Sequence, residues 1–346
     1  MRLLFGLLII STVLYSCNGG DKIPDVSGEK VTVTTQHFEK DFFAIDTNNI
    51  DAGLTQLRNK YPSFFPDFLE KLLGVDAKMI ETGEANNIIR SFYHSYLPVY
   101  DSTKMLFADF SATEKEITQG LRFVKHYFPN YKLPGEIITF IAPMDASFKT
   151  SFGLQGDILS NNYIGAGLQL HMGSGFSFYQ SEQGQQLYPT YISSRFEPGT
   201  IAINSIKNIV DDLFPEKLED RSLAEQMVEK GKRLYVLSKL MPYAEEYRLI
   251  GYTAKQVKDC YEHEANIWDL FVQNNLLQTV DENIIKNYIG ESPKTQELGD
   301  ASPGNIGAFA GWQIVKKFMS KNNETTLQQL MAMEDDALFQ QAKYKP

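Results

Sequence analysis

The sequence predicts an α+β fold, mostly helical with a small mixed β-sheet, and three observations carry that prediction. Apolar residues recur at helical spacing over most of residues 36–128. That period then gives way to a β-branched and aromatic run, Glu136-Ile137-Ile138-Thr139-Phe140-Ile141-Ala142, bounded by Pro134-Gly135 and by Pro143. Helical spacing returns from Gly199 onward. The expected order is helices, a small sheet, then helices, in one globular domain over residues 36–346.

Each element has its own signal. Phe38, Phe42, Phe43 and Ile45 form a first apolar face. Asn49 is placed to cap a helix carrying Ile50, Leu54 and Leu57, which ends at Tyr61-Pro62 because a residue before proline leaves the helical region. Phe64, Phe68, Leu69, Leu72 and Leu73 follow and stop at Gly74. Ile88, Ile89, Phe92, Tyr93 and Tyr96 continue the period. Ser111 and Glu114 have capping-box spacing ahead of Ile117, Leu121 and Val124. After the 136–142 strand, shorter strands are expected at 157–159 and 163–171, with Asn161-Asn162 as the turn between them. Residues 173–186 read as a Gly/Ser/Gln loop. Later helices are expected at 199–214, at 220–241 with Asp220 or Ser222 near Glu225 at its start, and from Thr253 towards Leu277. Another begins near Pro303, and a short polar pair fills the tail.

The N-terminus has a separate role. Arg2 precedes an apolar run from Leu3 to Leu14, followed by Tyr15, Ser16 and Cys17. The run is shorter than the about 20 residues a membrane span needs, and it has the layout of a secretory signal. Leu14-Tyr15-Ser16-Cys17 looks like a bacterial lipobox. Residues 1–16 then form a lipoprotein signal peptide, and Cys17 is acylated and anchors the mature chain to a membrane. Residues 17–35, rich in Gly, Asp, Ser and Pro, read as a flexible tether.

Charge narrows the partners. The formal net charge is −10, which excludes nucleic acid, since phosphate neutralisation needs clustered cations. It also leaves the lipid, rather than surface charge, as the membrane attachment. Only two cysteines exist, so with Cys17 acylated, Cys260 has no disulfide partner and reads as a buried structural thiol.

Catalytic motifs are degenerate. Zinc metallopeptidases carry H-E-x-x-H on the helix after the sheet, where two histidines at i and i+4 share a face and hold the metal. Here the 199–214 helix presents Asn204-Ser205-Ile206-Lys207-Asn208. Asn204 and Asn208 occupy the ligand spacing, and Ser205 stands where the general base would be. Glu229 follows 21 residues after Asn208, as a third ligand on the next helix would. Neutral amides are poor zinc ligands. The layout reads as a vestigial zinc-peptidase-like (zincin) minidomain, with no metal, no cofactor and no catalytic residue. The alternative is a zinc-dependent hydrolase with an unusual ligand set, His171 or His263 with Glu229. His263-Glu264-Ala265-Asn266-Ile267 supplies only one of the two histidines. The sequence has no G-x-S-x-G elbow, no phosphate loop and no C-x-x-C. Gly165-Ala166-Gly167 suits close strand packing, and Asp211-Asp212 and Asp335-Asp336 suit solvated charge or helix caps. A groove bordered by residues 163–171, including Gln169 and His171, and by the 199–214 helix is expected to pair with an extended partner chain, with the 173–186 loop closing over it.

Several stretches carry a family resemblance: the lipobox, Ile203-Asn204-Ser205-Ile206-Lys207-Asn208-Ile209-Val210-Asp211-Asp212-Leu213-Phe214-Pro215, Glu264-Ala265-Asn266-Ile267-Trp268, Tyr288-Ile289-Gly290-Glu291 and Gly311-Trp312-Gln313-Ile314-Val315. With these the chain resembles the gliding-motility lipoprotein family GldB of Bacteroidota across essentially its whole mature length. The resemblance implies a cell-envelope lipoprotein required for surface gliding, linked to the type IX secretion apparatus and partnered by envelope proteins of that machinery. It also implies a fold distantly related to zinc peptidases without their motif, and it transfers no catalytic residue.

Overall fold

The β-branched run at 136–142 becomes the strand on which the sheet assembles. The computed structural model describes residues 22–346, apart from 218 and 219, so the signal peptide and Cys17 lie outside the described residues. Strands β1 (Thr34–His37), β2 (Glu136–Phe140), β5 (Ile158–Leu159) and β6 (Tyr163–Gly167) form one sheet in the order β1-β2-β6-β5. Between β2 and β5 in the chain, β3 (Phe148–Thr150) and β4 (Gly153–Gln155) make a separate hairpin. β1 runs parallel to β2, β2 runs parallel to β6 with Ile137 opposite Ile164, and β5 is antiparallel to β6. Ile137, Ile138, Phe140, Tyr163, Ile164 and Ala166 are all buried, as expected for strands covered on both faces. Gly165 lets β5 approach: a Cβ there would lie 2.6 Å from Ile158 Cγ1.

The longest helices are α1 (Glu84–Leu106), α2 (Ser111–Tyr127), α3 (Ile201–Leu213), α4 (Leu223–Leu240) and α5 (Ile306–Lys321). The mostly helical α+β expectation therefore holds. Ser222 caps α4 through a reciprocal capping box with Glu225, as the sequence indicated. α3 buries Ile201, Ile203, Ile206, Ile209 and Val210 against α2 and the sheet. α4 and α5 cross backbone to backbone at Gly231 and Gly311. A Cβ on either would collide with the facing main chain. Phe38, Phe42, Phe64, Phe68 and Phe92 close the N-terminal side of the core with edge-on and tilted ring contacts.

Four expectations need correction. The stretch read as a tether contributes structure: Val26 is buried and Thr34-Thr35 pair with β2. The predicted strand at 163–171 ends at Gly167 and tightens into a 3₁₀ turn, Leu168–Leu170. The 173–186 segment is two short helices, Ser177–Gln180 and Glu182–Leu187, anchored by the buried Tyr179 in a small cluster with Leu170, Tyr188 and Phe196. Ser111 makes no side-chain cap, because it is the first residue of the helix and Phe110 holds the capping position, while Glu114 accepts a hydrogen bond from Thr35 Oγ1 at 2.5 Å.

Candidate functional site

One face of α3 is polar although the helix is nearly enclosed. Asn204, Lys207, Asn208 and Asp211 fall at i, i+3, i+4 and i+7, so helical periodicity alone places them together. Opposite them stand β4, β5 and the loop joining β3 to β4. Asn204 Nδ2 donates to Asp157 Oδ2 at 2.9 Å. Gln155 Nε2 donates to Asn208 Oδ1. Asp211 accepts from Ser151 N at 3.0 Å and from Arg233 Nη1 at 2.9 Å. Ser205 points the other way, fully buried, with its hydroxyl donating to Ile201 O.

Asp157 is the hub. Its buried carboxylate also accepts from Gly167 N at 3.0 Å and meets His171 Nε2 at 2.9 and 3.0 Å. His171 Nδ1 lies 3.1 Å from Thr200 Oγ1 and 3.2 Å from Glu197 O. This carboxylate thus ties β6, the turn after it and α3 into one unit. Buried polar groups satisfied this completely rigidify their surroundings.

A cavity of about 270 Å³ opens beside this network. β4 and Phe152 form one wall, residues 194–200 a second, and the helix Glu246–Ile250 with Gly251 and Tyr252 a third. Asn204 and Lys207 of α3 form its floor, and Arg195, Arg248 and Glu197 reach its lining. Arg195 pairs with Glu291 at 2.8 Å, and Arg248 donates to Gly199 O. Lys207 differs: only 8% exposed, it makes no hydrogen bond or ion pair with the described residues, and its Nζ sits 5.4 Å from the Phe152 ring centroid. Burial, reinforced by Arg195, pushes its ammonium down from the usual lysine range to about 7, against the pull of Glu291 and Asp211.

The zinc-like constellation is not brought together. Glu229 pairs with Arg233 at 2.9 Å and Lys232 at 3.7 Å, and it borders a different cavity, which Asp335 and Arg221 also line. His263 caps a helix end on a third cavity, with Nδ1 2.9 Å from Asp259 O. Neither histidine of the alternative ligand set stands with Glu229, since His171 is held by Asp157. Among the described residues, no three His, Cys, Asp or Glu side chains gather as a metal site would require. The expected groove is corrected as well. β6 is an interior strand, paired on both sides, and Gln169 and His171 lie in the turn beyond it, buried rather than on a strand edge. Gln169 Oε1 accepts from Ala142 N at 3.0 Å and its carbonyl from the Tyr179 hydroxyl. The free edge beside α3 is β5. Cys260 is a buried thiol, and burial pushes it up to about 12, which keeps it protonated and unreactive at neutral pH.

Sequence reasoning missed Asp157, Arg195, Arg248 and Lys207. The last had a readable signal: a lysine on the same helical face as two asparagines, in a helix otherwise rich in isoleucine.

Fold and site together define a mostly helical α+β protein with a cationic polar cleft built on one helix. Among the described residues no helix is long and apolar enough to cross a membrane. The chain belongs to the gliding motility protein GldB family, whose model matches residues 19–346. Neither a curated protein nor a solved structure matches it.

Proposed function

We propose that this protein is a cell-envelope lipoprotein required for gliding motility, and that it acts as a non-catalytic, partner-binding component of the machinery linked to type IX secretion. The family match over residues 19–346 carries the motility reading. Cys17 at the end of the apolar run supports acylation and an anchor facing the periplasm. The α3 face supports binding without hydrolysis: two amides stand at the ligand spacing, Ser205 is buried, and Glu229 is neutralised by two cations. The partner is an envelope protein that enters the cleft between β4, α3 and the Glu246–Ile250 helix.

The anchor is tested by Cys17→Ala. Wild-type mature chain is expected to incorporate radiolabelled palmitate and to restore spreading to a deletion strain, and the variant to do neither. Label in the variant band would refute acylation at this position.

A further inference from the structure

We propose that the cavity floored by Lys207 and Asn204 is a carboxylate pocket, which takes a single negatively charged carboxylate carried on an apolar body. This rests on reading the cleft as a binding site and names the chemistry of what enters it.

Lys207 carries the inference. A lysine this deeply enclosed normally finds a carboxylate or snorkels to water. Here the described residues offer it neither a hydrogen-bond acceptor nor an ion-pair partner, and it lines an open cavity. Its nearest ring, Phe152, gives it only the weak attraction of an aromatic face. The side chain is buried along its stem while its Nζ is not among the enclosed polar atoms, so the ammonium faces the cavity, where a ligand carboxylate would pair with it.

The charge balance indicates one negative charge. Arg195 pairs with Glu291, Arg248 has Glu116 close by, and Glu197 accepts from Ser174 N, which leaves Lys207 as the cation of the lining without a carboxylate of its own among the described residues. The nearby Asp211 is committed to Arg233 and Ser151. A monocarboxylate closes this balance, whereas a dianionic phosphate would overshoot it. Asn204 adds an amide at the floor, and Phe152 and Tyr247 supply apolar wall. The volume, about 270 Å³, suits one or two residues of a peptide end or a small acid.

Binding should depend on pH through Lys207. Only its protonated form attracts the anion, and burial holds it near 7 in the empty pocket. The charged groups around it are Arg195, Glu197 and Arg248 across the cavity, Glu291 beyond Arg195, and Asp211 on its own helix. Affinity should therefore be steady below neutrality and fall as pH rises above it.

The test is calorimetric titration of the mature chain with 3-phenylpropionate, 3-phenylpropionamide and phenyl phosphate, and with a short apolar peptide bearing a free or an amidated C-terminus. The acid should bind and its amide should not. Lys207→Met should weaken the acid by about tenfold or more, the usual size of a charge-assisted contact. Lys207→Met removes a buried charge, so it should fold at least as well, which circular dichroism checks. Arg248→Gln provides a second variant with an intermediate loss. Preference for the free over the amidated peptide identifies a partner's chain end as the source, and binding of the small acid alone identifies a free acid. Equal binding of acid and amide, tighter binding of phenyl phosphate, an unaffected Lys207→Met variant, or no binding at millimolar concentration would each overturn the assignment. An envelope partner captured equally by wild type and Lys207→Met would leave the partner reading standing and remove this one.

Discussion

Replacing Gly311 by valine is expected to prevent accumulation of folded protein, and even alanine should cost about 2–4 kcal/mol in urea unfolding. A Cβ at Gly311 would sit inside the contact distance of Met227 O on α4, and the neighbouring Gly231 meets Gly311 O in the same way. Neither obstacle is a side-chain tip that can rotate aside. The helices would have to separate, and Trp312 and Met227, both buried at this crossing, would lose their packing. The intrinsic gain of alanine over glycine in a helix, about 1 kcal/mol, is too small to offset that. Gly28→Ala is the control: a Cβ there meets nothing within 4 Å, so stability should be unchanged. The consequence reaches the cleft, because α4 also carries Arg233, which holds Asp211 of α3. A Gly311→Ala chain as stable as the Gly28→Ala chain would show that the two helices do not meet through their backbones.

Asp157→Ala should cost about 3–5 kcal/mol, the range for removing one partner of a buried charged network. The loss strands three donors at once: Gly167 N, Asn204 Nδ2 and His171 Nε2. If the pair acts as a unit, Asp157→Ala and His171→Ala will not add. The double variant should be less destabilised than the sum of the two single changes by about 2 kcal/mol. Urea midpoints with unchanged slopes would read this directly. Strict additivity would mean that the two side chains do not interact across the turn after β6.

Much of the fold was legible because its signals are local. The β-branched run of β2 and the Ser222/Glu225 cap of α4 are both written within a few residues. β1 was not legible. Thr34-Thr35-Gln36-His37 has no apolar alternation and becomes a strand only by pairing with residues about a hundred positions away. The three-residue strands of the β3/β4 hairpin are too short to show a period. The site divides along the same line. The shared face of Asn204, Lys207 and Asn208 follows from helical geometry. The pairing of Glu229 with Arg233 was also readable, since the two stand at i and i+4 on α4, and the zinc-ligand comparison passed over it. Asp157 reads as an ordinary turn residue until the chain brings His171 and Asn204 to it. Treating 163–171 as an edge failed for a topological reason: β5, only two residues long, covers that side of β6.

The central claim is that the cleft on α3 is where the gliding machinery is engaged. Ser194 is exposed at its rim, at the end of a short helix and away from the Asp157 network, so tryptophan fits there without disturbing the core while filling the mouth of the cavity. The decisive measurement is colony spreading on agar by cells whose only copy carries Ser194→Trp, with protein abundance and thermal melting recorded alongside. The account predicts normal abundance, a normal melt and loss of spreading. Wild-type spreading by a folded, normally abundant Ser194→Trp protein would contradict it.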